Sequence, residues 1–449
     1  LKKGCLAVYL QGQKRRTMSN QLSKFKRIFI FDPCFGEMTG HWENYCIRLY
    51  DELVGRGCQV KVFGQSSFNP GITRHVNFQP VFVGSPFGDY TSPAHFKQRA
   101  TQVLNDFKQI DEAEFQDGDL FIFHSIFPHI FAAILDWTQS VLQRKQIVAS
   151  FFFQLPPSES KGRSKSAIKR LYHYLRSFLP HNLKARKLEW SNHNNIRCYQ
   201  ASAKPLGKLV KAGTHILFAS TDLLKRNFSM MLDAPVYYLP MPGPETHYPI
   251  AKHNEQGFLQ VGYFGHSSFA KGGQFLRYIV EMTLTMHQNV KFVLHINSND
   301  ETAKYLDFFK TYDNPNVTCY VGHITPEKMT ELMGQVDIIL MPYAPIKYAT
   351  TPSAVFTEGM PLQKVFIIPE KTWVHEEAVK YDAGYVCFTE HNQQNVLDAL
   401  CKAISNYDYL AQKSLIAGKN FYRENNISNY IDTVENILNK KYITYENAV

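Results

Sequence analysis

Short apolar runs and amphipathic stretches take turns along almost the whole chain. The run KRIFIFDP (26–33) predicts a strand. After CFGEMTG a helix is predicted from about His41 to Leu53, because Trp42, Tyr45, Cys46, Leu49 and Leu53 share one helical face. RGCQVKVFG then reads as a turn and a second strand. Further strands are predicted over 78–84, 118–125, 146–153, 214–220 and 235–242, with helical patterns between most of them. Around 241–257, MPGPETHYPIAKHNEQG breaks the series with three Pro and no apolar periodicity. A second series follows, with strands predicted over 258–265, 290–297, 316–322, 336–342, 364–370 and 383–389, before the chain closes in helical stretches. Such alternation argues for parallel sheets covered on both faces. The expected organisation is a leader over 1–20 that lies outside the fold, a first doubly wound domain over 21–240, a linker over 241–257 and a second such domain over 258–425. A helix over 426–449 is free to pack back on the first domain. Ligands of open parallel sheets bind beyond the carboxyl ends of the strands, so two sheets facing each other predict a deep cleft.

Charge narrows the choice of partner. The 449 residues carry a formal net charge of +10, which suits nucleic acid, an acidic membrane or a phosphorylated substrate. Much of it sits in KGRSKSAIKRLYHYLRSFLPHNLKARKL (161–188), with nine Lys/Arg and no acid. Ile168, Leu171, Leu175, Phe178 and Leu179 form one helical face there, flanked by Lys169, Arg170, His173 and Arg176. A basic amphipathic helix suits an anionic membrane surface or an acidic acceptor, and equally a solvated face packed by its apolar stripe. No recognition motif accompanies it, so nucleic acid is not expected. No run of about 18 apolar residues predicts a membrane span, and CLAVYL near the start is too short for a secretory core. The 8 Cys contain no C-x-x-C pair, which fits reduced thiols in a cytoplasm, or on the inner face of a membrane, and neither a disulfide framework nor structural zinc.

Four stretches carry candidate chemistry. In MPYAPIKYATTPSAVFTEGMP (341–361), Thr351 is a good N-cap and Pro352 suits the first helical position. The N–H groups of Ser353, Ala354 and Val355 would then be free to hold a phosphate. Glu358, seven residues after Thr351, falls on the same face and could accept hydrogen bonds from two adjacent sugar hydroxyls. In VGYFGHSSFAKGG (261–273) a strand ends at Gly265 and a polar loop leads through Lys271. The loop is neither G-x-x-x-x-G-K-[ST] nor G-x-G-x-x-G, but Lys271 can neutralise a diphosphate as a point charge. In PCFGEMTGHWENY (33–45), Gly36 and Gly40 allow close approach to a ligand, with His41 at the helix start. His124, in FIFHSIF, ends a predicted strand where cleft residues gather. Each also has a plain structural reading: a capped surface helix, a surface Lys before a turn, a simple connection, a satisfied core His.

Together, GYFGHSSFAKGG and VGHITPEKMTELMGQVDIILMPYAPIKYATTPSAVFTEGMPLQKVFIIP resemble the donor-binding domain of GT-B glycosyltransferases, particularly retaining family four. TGHWENYCIRLYDELVGRGCQVKVFG is similar to that family's N-terminal Gly loop, helix and turn. The resemblance covers about 26–65 and 258–390, and implies two Rossmann-like domains facing across a cleft. The family's Arg and Lys on the donor diphosphate fall on His266 and Lys271. Its two Glu, eight positions apart, fall on Thr350 and Glu358, the second of which holds the ribose hydroxyls. PYAPIKYATTPSAVFTEG resembles a bacterial subgroup, and His124 lies near a family His beside the sugar.

The resemblance implies a retaining, metal-independent transfer of sugar from a nucleotide-diphosphate sugar to an acceptor. No D-x-D motif stands where a metal would need it. Lys271 and His124 are the expected catalytic groups. Gly265, His266, Lys271, Thr350, Ser353, Ala354 and Glu358 are expected at the donor, and Gly40 and His41 at the acceptor. No cofactor is expected besides the nucleotide sugar as co-substrate. A sugar-nucleotide epimerase of the same architecture is one alternative. A binding or scaffold protein without chemistry, favoured by His266 and Thr350, is another.

Overall fold

The computed structural model describes residues 25–36, 42–67, 75–84, 86, 90, 92–141, 147–152, 199, 206, 207, 209, 210, 213–244, 257–298, 303–322 and 324–446. The predicted leader, Gly40, His41 and the basic segment 161–188 lie outside them.

Seven parallel strands make the first sheet: β1 (Arg27–Phe31), β2 (Gln59–Gln65), β3 (Phe78–Phe82), β4 (Leu120–Phe123), β5 (Ile147–Phe152), β6 (His215–Ala219) and β7 (Val236–Tyr238). Their order is β3-β2-β1-β4-β5-β6-β7. The period-2 rule shows directly in β1. Phe29 and Phe31 enter one core with Phe107, Phe121 and Trp137, while Ile28 and Ile30 enter the other with Tyr45, Leu49 and Leu53. Both faces are covered, so the strand is buried almost throughout.

The second sheet repeats the plan with β8 (Leu259–Tyr263), β9 (His266–Ser267), β10 (Val290–Ser298), β11 (Val317–Val321), β12 (Ile338–Leu340), β13 (Val365–Pro369) and β14 (Tyr385–Phe388). Its order is β11-β10-β8-β12-β13-β14, with β9 paired to the end of β10. Val261, Ile338 and Ile367 face one core; Ile339, Phe366 and Ile368 face the other. In both sheets the order reverses beside the first strand, between β1 and β4 and between β8 and β12. A crevice opens at the carboxyl ends of the strands at such a point, and ligands bind there.

The chain links the two domains twice, near Gly243 and near Asn425, and the Gly243 N–H donates to the Asn425 carbonyl at 2.6 Å. The helix Ile427–Glu446 then returns to the first domain. Its Ile427, Tyr430, Ile431, Val434 and Leu438 join the core of Tyr45 and Leu49. Arg56 fastens it by donating to Asp432 Oδ1 at 2.6 Å and to Ser428 Oγ at 2.8 Å. Among the described residues no helix is long and apolar enough to cross a membrane.

Candidate functional site

Two loops flank the crevice of the second sheet, one after β8 and one after β12. In the first, Gly265 has φ +96°, and a Cβ there would lie 2.7 Å from Lys271 Nζ. Only a glycine lets the ammonium rest across this backbone. The Gly265 N–H donates to His295 Nδ1 at 3.4 Å, and His295 Nε2 lies 2.8 Å from the Gly322 carbonyl. Gly272 takes φ +72°, and a Cβ there would stand 2.3 Å from the Pro342 carbonyl oxygen. The Ala344 N–H donates to the Ala270 carbonyl at 2.7 Å. The two loops are therefore locked to each other by backbone. Lys271 Nζ sits 5.5 Å from the centre of the Tyr343 ring, which stacks on Tyr348 at 4.2 Å.

The second loop leads into the helix Ala354–Gly359, capped by Ser353 and not by Thr351. Ser353 Oγ instead accepts the Phe356 N–H at 3.4 Å and stands 3.4 Å from the Tyr343 hydroxyl. The helix thus begins at Ala354, two residues later than the sequence suggests. Thr350 is buried, and its carbonyl accepts from Thr221 Oγ1 of the first domain at 3.4 Å.

Lys271 and Glu358 are both half-buried, and neither has a hydrogen-bond or ion-pair partner among the described residues. Burial pushes the Lys271 ammonium down to about 8; Glu358 opposes that shift and Lys347 adds to it. Burial pushes the Glu358 carboxyl above the usual range, against the pull of Arg48 and then Lys271. Partial burial, then Lys271 and Lys347, hold His266 below its ordinary value, so its ring is neutral at pH 7. Arg48 and Lys271 thus act on Glu358, and Lys347 acts on both Lys271 and His266.

His124 is placed differently. It follows β4, at the crevice of the first sheet, but its side chain is closed off from solvent together with Asp32. Its Nδ1 lies 2.7 Å from Asp32 Oδ2, and its ring stacks on Tyr45 at 4.6 Å. Asp32 Oδ1 also accepts the Cys34 N–H at 2.9 Å. The pair ties the end of β4 to the end of β1, and among the described residues no hydrogen bond or ion pair joins it to Lys271 or Glu358. Arg48 is the group that sequence reasoning missed. It sits one position before Leu49 on an otherwise ordinary amphipathic helix, Trp42–Gly55, and only the assembled cleft reveals what it faces. Among the described residues no three His, Cys, Asp or Glu side chains gather in one cluster.

No protein-family model matches the sequence, and no curated protein matches it by sequence. Solved structures do match. Anabaena HepE in complex with UDP and glucose aligns with a TM-score of 0.60 at 12% identity, covering 92% of this chain and 99% of that one. Sucrose-phosphate synthase from Thermosynechococcus elongatus gives a TM-score of 0.63 at 12% identity, covering 93% and 100%. The chain has the GT-B fold. A third GT-B structure, trehalose 6-phosphate synthase from Burkholderia multivorans, gives 0.61 at 12% identity, covering 94% and 99%. In the GT-B frame the Lys271 and Glu358 loops belong to the second domain and Arg48 and His124 to the first.

Proposed function

We propose that the protein is a glycosyltransferase that takes its sugar from a nucleotide-diphosphate sugar. The observation that carries this reading is that Lys271 and Glu358, at the β8–β12 crevice, have no hydrogen-bond or ion-pair partner among the described residues. Leaving two partly desolvated charges without hydrogen bonds is costly, and a ligand that offers both anionic oxygens and hydroxyl groups removes the cost. A nucleoside diphosphate is such a ligand. Glu358 accepts from its ribose hydroxyls, while Lys271 and the amides at the start of the Ala354–Gly359 helix face the diphosphate. Gly265, His266, Thr350 and Ser353 shape that side of the cleft; Gly40 and His41 are assigned to the acceptor.

As the glycosyl bond lengthens, negative charge builds on the leaving phosphate. Lys271 stabilises it where it develops, without a metal. We read the reaction as retaining, on the resemblance to family four, with the leaving phosphate taking the acceptor proton. The protein then contributes mainly position and electrostatics. His124 is assigned to holding the ends of β1 and β4 through Asp32. The acceptor side carries the basic segment 161–188, which would hold the enzyme to an anionic bilayer at low salt. Co-sedimentation with anionic liposomes across a salt series tests that part.

The decisive experiment incubates the pure protein with a panel of nucleotide sugars, with and without glycan and lipid-linked acceptors. Release of nucleoside diphosphate together with a glycosylated acceptor supports the reading. An altered sugar still bound to its nucleotide would indicate an epimerase, and no turnover with any donor would leave a binding protein.

A further inference from the structure

The Arg48 guanidinium is half-buried at a cost. Its Nη1 is fully buried without a hydrogen-bond partner among the described residues, and its Nε makes one long bond, 3.4 Å, to the Asn44 carbonyl. No carboxylate lies within 4 Å of it among the described residues. A buried guanidinium N–H with no acceptor is paid for elsewhere or satisfied by something that arrives.

The packing around it shows what it faces. Tyr45, three residues earlier on the same helix, meets Tyr430 of the returning helix ring-to-ring at 5.7 Å. That helix begins just after Asn425, which bonds Gly243. A Cβ on Gly243 would lie 3.4 Å from the Thr357 carbonyl and 3.3 Å from Pro361. These contacts bring the end of the Ala354–Gly359 helix to the crossing that leads into the returning helix, and that helix packs on the helix of Arg48. The charged groups acting on Glu358 are Arg48 first and Lys271 second, with Lys347 and His266 beyond Lys271. Arg48 and Glu358 thus feel each other across the cleft but are too far apart to bond.

A vicinal diol suits such a pair of charges. Each hydroxyl can donate to the Glu358 carboxylate and accept from the guanidinium, and a neutral group suits one positive and one negative charge. A phosphate placed there would be repelled by Glu358. Resting on the nucleotide-sugar reading above, we infer that Arg48 is a positioning residue of the donor site, supplied by the opposite domain and directed at the same ribose diol as Glu358. It follows that the ribose site is complete only where both domains meet, and that the protein selects ribonucleotides over 2′-deoxyribonucleotides.

The test is calorimetric binding of UDP, ADP and GDP, and of their 2′-deoxy counterparts, to the wild-type chain, Arg48→Gln, Arg48→Lys and Glu358→Gln, from pH 5 to 8. Circular dichroism checks that each variant is folded. The wild type should bind at least one ribonucleotide about tenfold more tightly than its deoxy form. Arg48→Gln should lose about tenfold in affinity for the ribonucleotide and most of the discrimination. The fall in affinity on the acid side should move to higher pH, because Glu358 keeps only Lys271 to hold it ionised. Arg48→Lys should restore the acid-side profile and only part of the discrimination. Wild-type affinity, discrimination and acid limb in Arg48→Gln, alongside weakened binding in Glu358→Gln, would overturn the role of Arg48 and leave the nucleotide site standing. No binding of any nucleotide to the wild type would overturn both.

Discussion

Replacing Lys271 with Ala removes one charge from the donor crevice and nothing else that the fold depends on. The ammonium has no partner to leave behind among the described residues, and the residue's place in the loop is held by its backbone: its N–H donates to the Ser268 carbonyl at 3.0 Å. With its value near 8, about nine-tenths of the side chain is charged at pH 7. A hydrogen bond to a charged group contributes about 1.5–3 kcal/mol, which is about 12- to 150-fold in affinity for a nucleoside diphosphate. Folding stability should stay level or rise, because the variant no longer desolvates a cation between Tyr343 and Gly265. Titration calorimetry with UDP, ADP and GDP reads the first effect and thermal unfolding of the free protein reads the second. Unchanged affinity in Lys271→Ala, with the protein folded, would refute the assignment of this loop to the diphosphate. A large drop in Tm with equally weak binding would point instead to a structural lysine.

Affinity for the diphosphate should be flat well below pH 8 and fall as pH rises through Lys271's value of about 8, since the neutral amine must then take up a proton to bind. At the acid end it should fall as pH drops through the Glu358 value, which lies above that of an ordinary carboxyl; calorimetry across pH reads both limbs. Gly272→Ala forces a side chain into left-handed backbone and against the Pro342 carbonyl, and should cost about 2–4 kcal/mol in urea unfolding. Transfer activity should survive EDTA undiminished, and strict dependence on Mg²⁺ or Mn²⁺ would show that Lys271 and the helix amides do not balance the leaving charge.

The strands of both sheets were legible because each is a dense apolar run between turn signals. A parallel strand buried on both faces has no other way to be written. β9 was not, since two residues, His266 and Ser267, carry no period. The position of Lys271 and Glu358 on facing loops could be read from the order of elements alone, because the strand reversal in a doubly wound sheet places the loops after β8 and β12 side by side. Helix starts are set by side-chain hydrogen bonds that sequence leaves degenerate. Thr351 and Ser353 are both good caps, and the Tyr343 hydroxyl near Ser353 is visible only in three dimensions. Arg48 was hidden for a related reason. It flanks the apolar stripe of its helix, where a solvated arginine is ordinary, and its meaning comes from a residue 310 positions later across the cleft. The burial of His124 beside Asp32 likewise depends on β1 and β4 being neighbours.

The returning helix also constrains how the protein is made. Ile427, Tyr430, Ile431, Val434 and Leu438 complete a core whose other members, from Phe25 to Met241, leave the ribosome far earlier. Until that helix arrives, Leu49, Leu53 and Tyr45 lack their cover, and an exposed apolar face of this kind invites aggregation. The second domain, bounded by the two crossings at Gly243 and Asn425, is synthesised in one piece and has both of its cores within residues 259–421. During translation the domain begun second should therefore be the one finished first, and the domain begun first must wait, guarded by a chaperone or by partial collapse, for the helix that closes it.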